Sequence, residues 1–355
     1  MARQASAFDG AGTIAALAAA ALFGVGTPYA KRLLAVASPL LLSGLLYVGA
    51  GLALTLSRAV AARLRPDAET PLRRADLGML AAIVACGGIL GPLLMLVGLR
   101  RVSGVVGALL LNLEGPLTMV LAVALFGEHL GRRAGAAAAL IALGAVVLTA
   151  RGPSGASDGW GAVAIAAACV CWAIDNNLTQ RLSLRDPIAI ARAKSLAAGT
   201  CSMTAALALG ARLPAPPAVV AALLLGAVSY GASLVLAIVA MRHIGAARQA
   251  AYFATAPFVG ALAALPVLGE RLGGRELAAA VPLVAGVVLL LRDRHAHRHA
   301  HEAMEHEHRH VHDAHHRHVH LPDDPPGEPH AHGHRHEPVT HAHAHGSDLH
   351  HRHRH

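Results

Sequence analysis

The chain has 355 residues, of which 55% are hydrophobic and 14% are charged, and its formal net charge is +9. Residues 1–291 carry 22 Lys/Arg and 11 Asp/Glu, whereas the residues after them carry 8 Lys/Arg and 10 Asp/Glu. Because Lys and Arg beside apolar segments are what membrane topology and lipid headgroups require, this basic excess predicts a membrane partner and excludes nucleic acid as its explanation.

Up to Leu291 the chain consists of apolar segments of roughly 20 residues, the length that a helix needs to cross a hydrocarbon core about 30 Å thick. Only helices satisfy their own backbone in lipid with such sequences, so we predict an all-α integral membrane protein. The first segment is longer than the core of a signal peptide, and we expect it to be retained. Spans 1 to 10 are predicted at residues 12–30, 38–57, 76–98, 103–126, 133–150, 159–179, 187–210, 217–240, 246–268 and 274–291.

The first five spans resemble the last five in sequence. Because five is an odd number, the second copy must cross the membrane in the opposite orientation, which is the inverted-repeat plan of many secondary transporters. We therefore predict two five-helix repeats, at residues 11–150 and 159–291. The aligned stretches are residues 21–33 with 170–182, 99–110 with 241–252, and 125–131 with 267–273.

The distribution of Lys and Arg between the loops predicts the orientation. If the N-terminus is inside, that side holds 12 Lys/Arg and the other side holds 8, with Arg192 and Lys194 set aside as intramembrane residues. This bias favours a cytoplasmic N-terminus. Ten spans then return the C-terminal tail, residues 292–355, to the cytoplasm.

Two related stretches carry a family resemblance. NLEGPLTMVLAVALFGEHLG at residues 112–131 and ATAPFVGALAALPVLGERLG at 254–273 each precede a closing span rich in Gly and Ala. Residues 11–291 thus resemble the EamA-type branch of the drug/metabolite transporter superfamily. The resemblance implies a ten-span carrier of small metabolites or drugs in the plasma (inner) membrane of a bacterium. It also implies export by alternating access, driven by an ion gradient or by exchange, while the tail has no counterpart in that pattern.

Ionisable side chains inside spans are candidate functional groups, because their cost in lipid leads them to face the bundle interior or a water-filled path. Glu114 in span 4 precedes Gly115 and Pro116, which weaken the helix as in the broken helices of transporter sites. We predict that Glu114 binds a proton or a cation. The alternative is an interhelical hydrogen bond or ion pair.

A polar stretch in span 6 and two cations in span 7 add further candidates. Asp175, Asn176 and Gln180 form either the substrate lining of the second repeat or the interfacial end of the span. Arg192 and Lys194 could hold an anionic substrate or pair with an intramembrane acid. The alternative for both cations is that they extend towards the headgroups.

Spans 4 and 9, which are equivalent in the two repeats, carry other polar residues. Gln249 and Tyr252 are three positions apart and share one helix face, where we predict that they line a pocket opposite Asn112. Glu128 and Glu270 follow glycines at the membrane edges of the two repeats. For these two acids we favour a structural role, in helix capping or in pairing with a nearby arginine.

The tail holds 23 of the 25 histidines, most of them as His-x-His. In an extended chain this spacing places both rings on one side, where they can share a cation. Neutral imidazole suits Zn, Ni, Co and Cu, although no cofactor is required. The low-complexity composition predicts a disordered chain. The candidate metal ligands are His295, His297, His299, His301, His306, His308, His310, His312, His315, His316, His318 and His320.

Three interpretations of the tail remain open. It could buffer or sense a metal that the carrier transports, store metal on an ordinary metabolite exporter, or gain charge on mild acidification. Residues 306–310 satisfy the H-E-x-x-H pattern, but in so many histidines this match is expected by chance. We therefore predict no enzyme activity.

Our preferred prediction is a secondary active exporter of small metabolites or drugs with a cytoplasmic metal-binding tail. The alternatives are a nickel, cobalt or zinc transporter regulated by the tail, and a membrane-anchored metal store without transport activity. The expected partners are a small-molecule substrate, transition-metal ions and the lipid bilayer, with a homodimer as one alternative for assembly.

Overall fold

A computed structural model gives the fold of the chain. It describes residues 2–64, 71–126, 132–149, 159–182, 185–244 and 246–292, together with the tail segments 295–301, 304–310, 330–336 and 339–345. Up to residue 292 every regular element that is described is helical. The prediction of an all-α membrane body is therefore confirmed.

The helices of the first repeat follow the predicted spans. Spans 1, 2 and 5 are continuous, whereas a π-helical segment interrupts span 3 and a 3-10 turn interrupts span 4. The helices are Ala2–Leu33 (span 1), Pro39–Leu64 (span 2), Leu77–Ile83 and Gly91–Leu99 (span 3), Gly104–Leu110 and Glu114–Phe126 (span 4), and Arg132–Thr149 (span 5).

The second repeat has the same organisation. A π-helical segment interrupts span 8 and a turn interrupts span 9. The helices are Gly159–Leu182 (span 6), Pro187–Ala208 (span 7), Pro216–Leu225 and Ser233–Ile244 (span 8), Ala246–Phe253 and Ala256–Leu268 (span 9), and Gly274–Leu291 (span 10).

The interruptions occur at equivalent positions. The alignment of residues 99–110 with 241–252 has an offset of 142, and this offset places the π-helical segment Val84–Leu90 of span 3 on the π-helical segment Gly226–Ala232 of span 8. Such segments are rare and often mark functional sites in helices. Their recurrence shows that the two repeats share the π-helical interruptions as well as the regular helices.

Within the described residues, nine helices are long and apolar enough to cross a membrane. The helix of span 7, Pro187–Ala208, is not among them, although its 22 residues would suffice in length. Its lower apolar content follows from Arg192, Lys194 and several hydroxyl side chains. It packs along most of span 2 in the most extensive helix pair of the bundle.

Close contacts at glycines show that equivalent spans run in opposite directions. Gly44 of span 2 lies against Met203 of span 7, whereas Gly51 lies against Leu196. As residue numbers rise along span 2, they fall along span 7. The pair formed by spans 5 and 10 behaves in the same way, because Gly144 contacts Leu283 and Gly286 contacts Ile141. The two repeats are therefore inverted relative to each other, and glycines permit the close approach of these helices.

The remaining spans exchange partners between repeats. Span 1 packs on spans 8 and 9 of the second repeat, and span 6 packs on spans 3 and 4 of the first. Two groups of helices, spans 1, 8 and 9 and spans 3, 4 and 6, therefore each draw on both repeats and form the two halves of the bundle. Spans 4 and 9 contact each other between these halves.

Equivalent signals begin spans 2 and 7. Ser38 precedes Pro39, and Asp186 precedes Pro187, so each helix begins at a proline whose fixed φ suits the first turn. Asp186 Oδ1 accepts hydrogen bonds from the backbone N–H groups of Ile188 at 2.9 Å and Ala189 at 3.1 Å. The same carboxylate forms an ion pair with Arg58 of span 2. The end of span 2 and the start of span 7 therefore lie on the same side of the bundle.

Four segments of the tail are paired as antiparallel strands. The strands are β1 (His295–His301), β2 (Met304–His310), β3 (His330–His336) and β4 (Val339–His345), with β1 paired to β4 and β2 to β3. The two-residue period of His-x-His is also the period of a strand. Disorder of the tail as a whole stays a prediction.

Candidate functional site

A cavity of about 110 Å³ lies where spans from both repeats meet, and it has room for several water molecules or a small solute. Spans 4, 6 and 7 contribute most of its polar lining, and spans 8 and 9 contribute the rest. The polar lining residues are Asn112, Glu114, Thr118, Asp175, Asn176, Thr179, Lys194, Ser229, Ser233 and Gln249.

A buried ion pair lies at the wall of this cavity. Lys194 Nζ in span 7 contacts Asp175 Oδ2 in span 6, and the two residues are only 3% and 5% exposed. Thr179 Oγ1 donates a second hydrogen bond to Asp175, over 3.2 Å to Oδ1. Lys194 is therefore held inside the bundle by an acid and does not extend towards the headgroups.

The π-helical segment of span 3 accommodates this carboxylate. Gly87 has no side chain, and a Cβ at this position would overlap the carboxyl group of Asp175. The Gly87 carbonyl oxygen accepts hydrogen bonds from Tyr47 Oη at 2.9 Å and from Trp172 Nε1 at 3.2 Å. Gly87 of span 3 is thus hydrogen-bonded to side chains of spans 2 and 6. It also lies against Asp175, which pairs with Lys194 of span 7.

Glu114 lies where span 4 changes from the 3-10 turn Leu111–Leu113 to an α-helix. Asn176 Nδ2 donates a hydrogen bond to Glu114 Oε1 over 2.8 Å. Next to it, Asn177 Nδ2 donates to the carbonyl oxygen of Thr118 over 3.1 Å. These hydrogen bonds from span 6 hold the Glu114 carboxylate at the cavity. Glu114 therefore forms the interhelical hydrogen bond expected in the alternative interpretation, and it also lines the cavity.

Aromatic rings form the apolar wall. Phe23 lies at the centre of the group, with its ring centroid 6.0 Å from Trp172, 5.8 Å from Tyr230 and 5.5 Å from Phe253. The alignment of residues 21–33 with 170–182 pairs Phe23 with Trp172. The two equivalent residues therefore contact each other edge to face across the boundary between the repeats.

The sequence matches the EamA-like transporter family twice, over residues 10–150 and 159–292. The chain belongs to the EamA-like transporter family. A protein of Methanothermobacter thermautotrophicus described as an uncharacterized transporter is 28% identical over 293 residues, which are 79% of this chain and 85% of that protein. A protein known from a crystal structure is similar in fold, with a TM-score of 0.60 and 19% identity, over 78% of this chain and 95% of that chain.

In this EamA-like transporter the predicted site residues separate into two groups. Six of them line the cavity, namely Asn112, Glu114, Asp175, Asn176, Lys194 and Gln249. The structure places Gln180, Arg192 and Tyr252 away from it. Gln180 lies one turn beyond Asn176 along span 6, Arg192 is on another face of span 7, and Tyr252 packs with the small cluster of Ala16, Ala240 and Ile244.

The sequence did not indicate the aromatic and hydroxyl residues of the cavity. Phe23, Tyr47 and Tyr230 are single aromatic residues in apolar spans, a pattern that fits a packed core equally well. Ser229 and Ser233 lie in and next to the π-helical segment of span 8, which no periodicity reveals. The pairing of Phe23 with Trp172 in the repeat alignment was the one signal that could have found part of this group.

Glu270 of the second repeat caps a helix of the first. Its Oε1 accepts a hydrogen bond from the Gly104 backbone N–H over 2.6 Å, and its Oε2 accepts one from Val105 over 2.8 Å. The carboxylate thus satisfies two of the free N–H groups that begin span 4, where a negative charge is favourable. This is the capping role favoured from the sequence. Glu128, its repeat equivalent, lies outside the described residues.

The predicted metal ligands are located in the tail. His295, His297, His299 and His301 lie in β1, and His306, His308 and His310 lie in β2. Among the parts of the chain that the structure describes, no group of three or more His, Cys, Asp or Glu side chains is placed to hold a metal ion. The other predicted ligands, His312, His315, His316, His318 and His320, lie outside the described residues.

Proposed function

We propose that this EamA-like transporter is a secondary active exporter of small metabolites or drugs that works by alternating access. The observation that carries this proposal is the cavity between the inverted repeats, which joins a buried ion pair, a carboxylate and an aromatic wall. Sites of this kind at a repeat interface, next to broken helices, are typical of secondary transporters. Membrane passage of a polar solute requires such an internal path, because lipid cannot solvate it.

The packing of the bundle supports a mechanism in which its two halves rock. Spans 1, 8 and 9 form one packed group and spans 3, 4 and 6 form another, and spans 4 and 9 contact each other between the two groups. The two halves are related by the inverted repeat, so an opening to one side of the membrane has an equivalent opening to the other. The π-helical segments in spans 3 and 8 are where we expect these helices to bend.

Glu114 is the residue to which we assign coupling. Asp175 is neutralised by Lys194, whereas no basic side chain pairs with Glu114 among the described residues. A carboxylate away from bulk water is stable only with a counter-charge or a proton. Exchange of a proton or cation at Glu114 during the transport cycle therefore couples substrate movement to an ion gradient.

We propose that the protein lies in the plasma membrane with both termini in the cytoplasm. Arg58 pairs with Asp186, and Arg185 Nε lies 3.2 Å from Asp76 Oδ2. The ends of spans 2 and 6 and the starts of spans 3 and 7 therefore share one side. That side carries most of the loop arginines, which favours the cytoplasm.

The experiment compares cells that express the intact protein, Glu114→Gln and a chain that ends at Arg292. Metabolites in the medium and tolerance to a panel of toxic compounds are measured, with equal amounts of protein in the membrane as the condition for comparison. We expect the intact chain to release at least one compound and Glu114→Gln to lose that release. Equal release by the intact chain and Glu114→Gln would contradict the role of Glu114, and no release of any compound would contradict export.

For the tail we propose binding of transition-metal ions. The strand register supports this role, because His297 is opposite His343, His299 is opposite His341, and His308 is opposite His332. Opposite residues in a sheet are close enough to share a ligand, and imidazole suits Zn, Ni, Co and Cu. Titration of the intact chain and the truncated chain with Ni²⁺ or Zn²⁺ tests this proposal, which fails if both bind the same number of ions.

The same strains discriminate between the alternative functions. If truncation changes cellular nickel, cobalt or zinc content and Glu114→Gln does so too, a metal carrier is favoured. If truncation alone changes metal tolerance and no compound is exported, a membrane-anchored metal store is favoured. Our proposal predicts that truncation leaves metabolite export largely intact.

A further inference from the structure

The charged groups of the cavity leave one acid unmatched. Lys194 and Asp175 form an ion pair, and Glu114 is the remaining charged side chain among the described residues that line the cavity. Glu114 Oε1 accepts its hydrogen bond from Asn176, while Oε2 has no donor within the described part of the chain. The open side of this carboxylate therefore presents a free acceptor.

A second acceptor without a partner lies two residues away. Asn112 is 2% exposed and lines the same cavity. Its Nδ2 donates to the carbonyl oxygen of Leu109 over 3.0 Å, and its Oδ1 has no hydrogen-bond partner in the described residues. Exchanging the two amide atoms would bring Oδ1 against another acceptor, so the position of Leu109 fixes which atom is unpaired. A buried amide oxygen without a partner is unfavourable unless a ligand supplies a donor.

Aromatic rings complete these surroundings. Phe23, Trp172, Tyr230 and Phe253 line the same cavity and pack against one another. Their faces attract cations and their area is apolar. The cavity thus combines a carboxylate and an amide oxygen with rings that suit an apolar body.

From this arrangement we infer that the substrates are small molecules with a protonated amino group attached to an apolar, preferably aromatic, body. The ammonium group donates hydrogen bonds to Glu114 and Asn112, and the body packs on the rings around Phe23. An anion would be repelled by Glu114, and a neutral alcohol would leave its charge unmatched. This inference rests on the proposed transport function and adds the substrate class.

Tryptophan fluorescence offers a direct test, since the chain has only two tryptophans. Trp160 is 75% exposed at the start of span 6, whereas Trp172 lines the cavity. Trp160→Phe therefore leaves one reporter at the site. In this background the purified full-length protein is titrated with 2-phenylethylamine, 2-phenylethanol and 3-phenylpropanoate, which share the ring and differ in charge.

We expect a saturable change in Trp172 emission with the amine, at concentrations where the alcohol and the carboxylate have no effect. Glu114→Gln should weaken amine binding by about tenfold or more, because a hydrogen bond to a charged group is lost. Asn112→Leu should weaken it by about threefold. Glu276→Gln, outside the cavity, serves as the matched control and should bind as the parent does. Each variant is compared only if it elutes as the parent does on size exclusion.

Three results would overturn the inference. The alcohol or the carboxylate could bind as tightly as the amine, or both Glu114→Gln and Asn112→Leu could bind the amine as the parent does. Either result leaves the transport function standing with another substrate class. If none of the probes changes Trp172 emission, the amine class is also rejected, and the export assay on cells, which uses no probe, decides the transport function separately.

Discussion

Gly87 of span 3 makes room for the carboxylate of Asp175 in span 6, because a Cβ at Gly87 would occupy the same space. The repeat alignments pair Gly87 with Ser229 and Asp175 with Gly26. In the other half of the bundle the arrangement is reversed, since Gly26 lies against the Ser229 side chain. Each π-helical segment therefore contacts a neighbouring span at a position where one of the two residues is a glycine. Only the contact between Gly87 and Asp175 includes a charged side chain.

Gly87→Ala tests this contact. The added methyl group must displace the Asp175 carboxylate, and overpacking of this kind costs about 1–3 kcal/mol. We expect a lower midpoint of thermal unfolding in detergent and a loss of transport. Gly78→Ala in the same span is the control, because a Cβ there has no neighbour within 4 Å. An unchanged midpoint for Gly87→Ala would show that the carboxylate can move at little cost.

A double-mutant cycle tests the buried ion pair. Removal of one partner leaves an uncompensated charge inside the bundle, so Lys194→Met and Asp175→Asn should each be destabilising by about 3–5 kcal/mol. The double variant should lose less free energy of unfolding than the two single variants lose together, because the ion pair is removed as a whole and neither partner is left as an unpaired charge. Thermal unfolding of all four proteins gives the coupling. Simple additivity would contradict a direct interaction between the two side chains.

The two donors to the Gly87 carbonyl can be removed separately. Tyr47→Phe and Trp172→Phe each delete one hydrogen bond and keep an aromatic ring, so each should lower the free energy of unfolding by about 0.5–1.5 kcal/mol. The second deletion should cost more than the first, because only then is the carbonyl oxygen left without a side-chain donor. Unfolding of the single and double variants measures this difference. Equal costs would mean that another group replaces the lost donor.

Glu270→Gln weakens the cap of span 4. The amide retains one acceptor and loses the charge that favours a helix N-terminus, so we expect about 1 kcal/mol of destabilisation. The rate of amide hydrogen exchange at Gly104 and Val105 should increase more than the rate in the rest of span 4. Unchanged exchange at Gly104 would contradict the capping role.

The helical body and its duplication could be predicted from the sequence, because the length and composition of the spans and three pairs of aligned stretches carry that information. Six of the nine predicted transport residues line the cavity for a similar reason, since an ionisable or amide group inside an apolar span needs a polar neighbour. Lys194 is an example. From its position one to two turns into span 7, the Lys194 side chain could also contact the lipid headgroups. The packing of span 7 against span 6 is what places it beside Asp175.

Other features depend on tertiary contacts that a sequence pattern does not contain. Arg192 and Lys194 are two positions apart and therefore point to different faces of span 7, so only one of them can face the cavity. Tyr252 is three positions from Gln249, but the side of this helix that carries Gln249 and Phe253 faces the cavity, whereas Tyr252 packs against a separate apolar cluster around Ala240. The π-helical segments have no composition that distinguishes them from α-helix. In the tail, the His-x-His period is compatible with both disorder and paired strands.

The most direct test of the central claim measures whether the cavity opens alternately to both sides of the membrane. Thr118→Cys and Ser233→Cys place thiols on its two halves, in a background in which Cys86, Cys169, Cys171 and Cys201 are replaced. Oriented membrane vesicles are treated with a membrane-impermeant thiol reagent from either side. We predict that both thiols react from both sides, and that trapping one conformation with a crosslink abolishes reaction from one side only. Reaction from a single side under every condition would contradict alternating access at this cavity.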